Sequence, residues 1–141
     1  MRKIIADSGP LISLFDPSEP RHEEVKSFVG SFSGLLLTTW PVVTEVTHLL
    51  GYSVERQIAF LRWIERGALE VLEQPADIMN KLIALMDKYR DRPMGLADAS
   101  LVMLSMQTGI RDIITFDSDF DFYRLPDRSK LKNQFTPMRK R

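Results

Sequence analysis

Lys3-Ile4-Ile5-Ala6-Asp7-Ser8-Gly9-Pro10-Leu11 joins an apolar run directly to a helix start. The run from Lys3 to Ala6 reads as a short buried strand, and Asp7-Ser8-Gly9-Pro10 stops it. Pro10 belongs in the first turn of a helix, where its missing N–H is not needed. Leu11, Ile12, Leu14 and Phe15 then pack inward. A strand that passes at once into a helix starts an alternating pattern, and the rest of the chain continues it.

Asp16-Pro17-Ser18-Glu19-Pro20 is a turn cluster. An amphipathic helix follows from about 21 to 31, with Val25, Phe28 and Val29 on its apolar face. Leu35 to Thr38 is a second strand. Pro41 opens a helix to about Leu50, ended by Gly51, and another runs from Val54 to Arg66, with Ile58, Leu61 and Ile64 on one face. Leu69 to Leu72 is a third strand and Ala76 to Tyr89 a helix. Leu96 to Thr108 is apolar or small almost throughout, which predicts a buried helix capped by Gly109. Asp112 to Thr115 is a fourth strand. The last third carries an aspartate-rich turn, an edge strand at Phe135-Thr136 and a basic tail, Arg139-Lys140-Arg141. Short strands alternating with helices predict one α/β domain over 1–141: three layers, α/β/α, around a mainly parallel sheet.

The chain is neutral overall, with 19 basic and 19 acidic side chains. Contact with a polyanion must therefore come from local patches. There are no cysteines, which excludes disulfides, thiolate zinc and a cysteine nucleophile. No signal peptide is legible, and no run approaches the roughly 20 apolar residues of a membrane span. A cytoplasmic protein is the expectation.

Ligands of open parallel sheets bind beyond the carboxyl ends of the strands. Asp7 follows the first strand and Asp117 the fourth. Glu45 lies one turn into the Pro41 helix, at the rim of a stripe of Val42, Val46 and Leu49. Asp98 sits in the first turn of the apolar helix among Leu96, Ala97, Ala99, Leu101 and Val102, where a carboxylate is costly without a partner. Singly, each has a plain structural reading: a helix-end aspartate, a solvated glutamate, a turn aspartate, an acidic turn with Asp119 and Asp121. Together they map to one sheet edge. Converging carboxylates repel one another, and a divalent cation is the natural compensation. With oxygen donors only, and His22 and His48 outside these motifs, the expected ion is Mg²⁺ or Mn²⁺ rather than zinc.

These motifs carry a resemblance. Ile5-Ala6-Asp7-Ser8-Gly9-Pro10-Leu11, Thr38-Thr39-Trp40-Pro41-Val42-Val43-Thr44-Glu45, Gly95-Leu96-Ala97-Asp98-Ala99-Ser100 and Ile114-Thr115-Phe116-Asp117-Ser118-Asp119-Phe120 resemble, in order, the four acidic motifs of PIN-domain proteins, especially VapC-like toxins. The resemblance implies a Mg²⁺- or Mn²⁺-dependent endoribonuclease that hydrolyses RNA phosphodiesters, as the toxin of a type II toxin–antitoxin pair. It implies Asp7 and Asp98 as direct metal ligands, and Glu45 and Asp117 as the acids completing the site. Ser8 and Thr115 would bond within that network, and Asp119 competes with Asp117 for the fourth place. The implied partners are RNA, an antitoxin that docks near the pocket, and a second copy in a homodimer.

Candidate phosphate contacts are Arg56, Arg62, Arg66, Lys88, Arg90, Arg92, Lys130, Lys132 and the tail; each also reads as a solvated charge. Trp40, Tyr52, Phe60 and Trp63 could stack a base, although the last three fit helix packing or a dimer face at least as well. Three other readings stay open. One is a PIN-fold module that binds RNA or protein without cutting, another a PIN nuclease of RNA processing without an antitoxin. The third is a phosphatase or phosphoacceptor using Asp7 as nucleophile, which lacks its usual lysine here.

Overall fold

The computed structural model describes residues 1–135. Five strands, β1 (Arg2–Ala6), β2 (Gly34–Thr38), β3 (Leu69–Val71), β4 (Asp112–Ile114) and β5 (Lys132–Asn133), form one sheet in the order β3-β2-β1-β4-β5. Every pairing is parallel. The described helices are α1 (Ser8–Phe15), α2 (His22–Ser31), α3 (Trp40–Leu49), α4 (Val54–Glu65), α5 (Met79–Lys88) and α6 (Leu96–Thr108). None is long and apolar enough to cross a membrane.

β1 is the centre of the sheet. Ile4, Ile5 and Ala6 are consecutive and all fully buried, which a strand achieves only when both faces are covered. From β1 the chain adds β2 and β3 on one side, then returns to add β4 and β5 on the other. The order therefore reverses between β1 and β4, and a crevice opens there at the carboxyl edge. Ile5 pairs with Ile113 and Ala6 with Ile114, so Asp7 and Thr115 leave the sheet side by side.

α6 packs as its composition predicts, with every residue from Ala99 to Ser105 buried. Gly109 ends it at φ +77°, its N–H bonding the Ser105 carbonyl at 2.8 Å, a left-handed cap that glycine adopts without strain. Gly34 serves a close approach instead: a Cβ there would lie 2.2 Å from the Arg2 carbonyl oxygen.

Several expectations shift. The buried stripe of α3 is Val42, Val43 and Val46, continued by Leu50, while Leu49 is exposed. Phe60 anchors α4, and Ile58 and Leu61 face outward. Trp63 packs edge-on against Phe15 at 5.4 Å. Residues Ala76–Ile78 form a 3₁₀ turn before α5 rather than its first turn. The edge strand falls at Lys132–Asn133, not at Phe135; Thr136 and the basic tail lie outside the described residues. Asn133 explains the earlier placement. Its side chain bonds the Thr115 N–H at 3.1 Å and the Thr115 carbonyl at 3.0 Å, replacing the ladder that a longer strand would supply.

Candidate active site

Asp7 is the N-cap of α1. Its Oδ1 accepts the Ser8 N–H at 2.8 Å, satisfying a donor that the helix start leaves free. Its other oxygen, Oδ2, accepts the Thr115 hydroxyl at 2.7 Å. Ser8 turns its own hydroxyl to Glu45 Oε1 at 3.0 Å, which links α1 to the middle of α3. Thr115 also accepts the Asp117 N–H at 3.0 Å, and Asp117 Oδ1 accepts the Asp119 N–H at 2.9 Å. Asp7 is thus tied to its acidic neighbours through Ser8, whose N–H bonds Asp7 and whose hydroxyl bonds Glu45, and through the Thr115 hydroxyl, which also accepts the Asp117 N–H.

Asp98 projects from the first turn of α6, partly covered. Burial, and then the charges of Asp7, Asp117, Glu45 and Asp119, push its carboxyl up to about 7. Burial likewise raises Asp7 to about 6, against the lowering effect of the Thr115 and Ser8 hydrogen bonds, with Glu45 and Asp117 adding to the rise. Glu45 and Asp117 thus bear on Asp7, and all three bear on Asp98. Asp117 acts on both Asp7 and Asp98, whereas Asp119 acts on Asp98. Asp121 is exposed.

The strongest charges on Asp7 and Asp98 are all carboxylates, so a cation would relieve the repulsion directly. The donors are hard oxygens, which suits Mg²⁺ or Mn²⁺. Among the described residues no three histidine or acidic side chains are arranged to grip an ion unaided. Mg²⁺ keeps several waters and takes one or two carboxylates together with substrate phosphate, so the donor set fits an ion held largely through water.

Two contributors escape a reading of the sequence. Tyr123 is buried, and its hydroxyl approaches Asp98 Oδ2 at 3.5 Å; burial and then the acids around it hold its proton on well above the usual range. Asn133 fixes Thr115, and through it Asp7. Neither belongs to an acidic motif, and both lie in the third of the chain that lacks periodic pattern.

Of the candidate phosphate contacts, Arg56 is drawn into a structural network: it pairs with Asp16 at 3.2 Å and bonds the Tyr52 hydroxyl at 2.9 Å. Arg90 pairs with Asp87, and Arg92 lies over the Phe122 ring at 4.3 Å. Phe60 is wholly core, while Trp40 is exposed.

Comparison with known proteins follows the same lines. The chain is similar to ribonuclease VapC26 of Mycobacterium tuberculosis, with 31% identity over 116 residues covering 81% of this chain and 86% of that one. Its fold is similar to M. tuberculosis VapC20, a toxin that cleaves the sarcin–ricin loop, with a TM-score of 0.77 at 20% identity, over 84% of this chain and 93% of that one. It is also similar to a structure of VapBC2 from Rickettsia felis bound to a DNA fragment from its promoter, with a TM-score of 0.64 at 12% identity, over 94% and 98% of the two chains. The family model described as PIN domain matches residues 4–126, nearly all of the described sheet and every acid of the site. This chain belongs to the PIN-domain family.

Proposed function

We propose that the protein is a divalent-metal-dependent endoribonuclease, the toxin of a type II toxin–antitoxin pair, with Asp7, Glu45, Asp98 and Asp117 as its catalytic acids. The observation that carries this reading is geometric: Ser8 links Asp7 to Glu45, Thr115 links Asp7 to the turn at Asp117, and the charges of all three bear on Asp98 at the start of α6. Such an arrangement costs stability, and a bound cation offsets it. The identity to a ribonuclease over most of both chains supports RNA as substrate.

A bound Mg²⁺ or Mn²⁺ supplies positive charge against the phosphodiester and acidifies water for attack. Asp7 and Asp98 would hold the ion most directly. Ser8 orients Glu45, and Thr115 orients both Asp7 and the backbone at Asp117, so the acidic ring is fixed before substrate arrives. Asp98 is raised first by burial and then by the acids around it, and an ion beside it would offset both effects. Water, not a side chain, is the nucleophile.

The proposed partners are RNA, an antitoxin and a second copy of the chain. For the second copy, Val54, Ile58 and Leu61 are exposed on α4, at a spacing that places them on one helix face. The function is tested by incubating the purified protein, freed of any partner, with defined RNAs and millimolar Mg²⁺ or Mn²⁺. Cleavage that a chelator stops supports it; intact RNA with both metals contradicts it.

A further inference from the structure

Trp40 is the first residue of α3, and 54% of it is exposed. Leu96 opens α6 and is 53% exposed. Both line a cleft of about 590 Å³ whose other walls are Pro41, Thr44, Glu45, His48 and Ala97. That volume lies within the roughly 300–1,000 Å³ of ordinary small-ligand clefts. One wall is Glu45, whose carboxylate also bonds Ser8 beside Asp7, and Ala97 directly precedes Asp98. The cleft therefore opens from the acidic centre itself.

Its walls are held in place. The Thr39 and Ser100 hydroxyls, both buried, bond at 2.7 Å and join the start of α3 to α6. Ser100 donates in turn to the Ala97 carbonyl at 2.6 Å. Trp40 and Leu96 thus face the cleft from two helix starts that are fastened together.

We infer that this cleft is a nucleobase subsite, in which Trp40 stacks the base next to the phosphate held at the acids. The inference rests on the nuclease reading and adds where one base goes. Away from an ion at the acidic centre, Glu45 on the cleft wall disfavours a second phosphate in the cleft itself. The base is the part of a nucleotide that is uncharged and flat, and an exposed indole sharing a cleft with the apolar Leu96 suits it. Stacking tolerates any base, so Trp40 contributes affinity and register rather than strict sequence choice. Trp63, the second tryptophan, packs on Phe15 within the fold and takes no part.

The test uses fluorescence and kinetics together. In a Trp63→Phe protein, Trp40 is the sole tryptophan, the acids are intact, and rapid mixing reads binding before RNA is consumed. Titration with an RNA hexamer and Mg²⁺ should quench its emission saturably, and a hexamer carrying abasic sites should not. In otherwise native protein, Trp40→Ala should raise KM for hexamer cleavage by about fivefold or more, the lower end expected for one lost stack, with kcat within about twofold. Trp40→Phe should recover most of the loss, and Leu96→Ala should show a smaller rise. If the native protein cuts the hexamer while Trp40→Ala matches its KM and the emission ignores RNA, the subsite is refuted and the nuclease reading survives. Base-dependent quenching with no cleavage by native protein would uphold the subsite and refute catalysis. A cleft reserved for an apolar side chain of a partner protein predicts emission unmoved by any RNA, which would overturn the inference.

Discussion

The Thr115 hydroxyl donates to Asp7 Oδ2 at 2.7 Å, joining residues 108 apart in sequence. Thr115 is fully buried, and the same oxygen accepts the Asp117 N–H. One hydroxyl therefore sets the orientation of the acid after β1 and of the turn after β4. Thr115→Val keeps the shape and removes that link. The expected outcome is a loss of about 1.5–3 kcal/mol of stability, the range for a hydrogen bond to a charged group, and a fall in kcat of at least about tenfold. Urea unfolding and single-turnover cleavage measure the two effects.

Asn133 acts one step further out. Its amide bonds both backbone groups of Thr115, and its Oδ1 also accepts the Phe135 N–H at 3.1 Å. Asn133→Ala should cost about 1–3 kcal/mol by leaving those groups unpaired. It should lower kcat more than it raises KM, because it displaces Thr115 without touching RNA. Equal kcat in the variant would show that β5 is merely an edge.

Metal-free protein should lose stability as pH rises from about 4 to 7. Asp7 and Asp98 both have folded-state values raised, to about 6 and about 7. Between the unfolded and folded values the native state holds more protons, so stability falls with increasing pH. Asp16 behaves oppositely. The Ser18 and Tyr52 hydroxyls, then the Ser18 N–H and Arg56, hold it down to about 2 against the effect of burial, so its contribution is lost as pH falls below 4. Urea midpoints should therefore decline from pH 4.5 to 7.5 in chelator. Asp98→Asn should flatten that decline and be the more stable protein at pH 7.5. Mg²⁺ or Mn²⁺ should stabilise the native protein at pH 7.5, by about 2.7 kcal/mol at a hundredfold excess over Kd, and so raise its urea midpoint.

The outward face of α4 gives a separate prediction. Ile58→Asp with Leu61→Asp should convert a dimer to a monomer in sedimentation equilibrium while leaving Tm of the subunit nearly unchanged, since both side chains are exposed. A wild-type protein that sediments as a monomer at micromolar concentration contradicts the proposed pairing.

The sheet and the acids were legible for a common reason. Ile4, Ile5 and Ala6 form an unbroken apolar run because β1 is covered on both faces, and Asp98 stands out because its helix has almost no polar neighbours. What was hidden depends on tertiary pairing. The inward face of α4 is set by Phe60 rather than by the aliphatic spacing of Ile58 and Leu61, because α4 meets the core through the ring cluster of Phe15, Phe60 and Trp63. β5 is a two-residue strand whose place is fixed by a side chain, Asn133, bonding the backbone of another strand. Periodicity carries no trace of such a contact. Tyr123 reaches Asp98 from a segment without repeating pattern.

Under the proposed function, a cluster of like charges is useful here because it binds a doubly charged ion next to RNA. Cleavage of one defined RNA should be compared for native protein, Asp98→Asn and Asp121→Asn, each with Mn²⁺ and each checked for a cooperative melt. Cleavage is expected from the native protein and from Asp121→Asn, and none from a folded Asp98→Asn. Undiminished cutting by Asp98→Asn would contradict the proposed function.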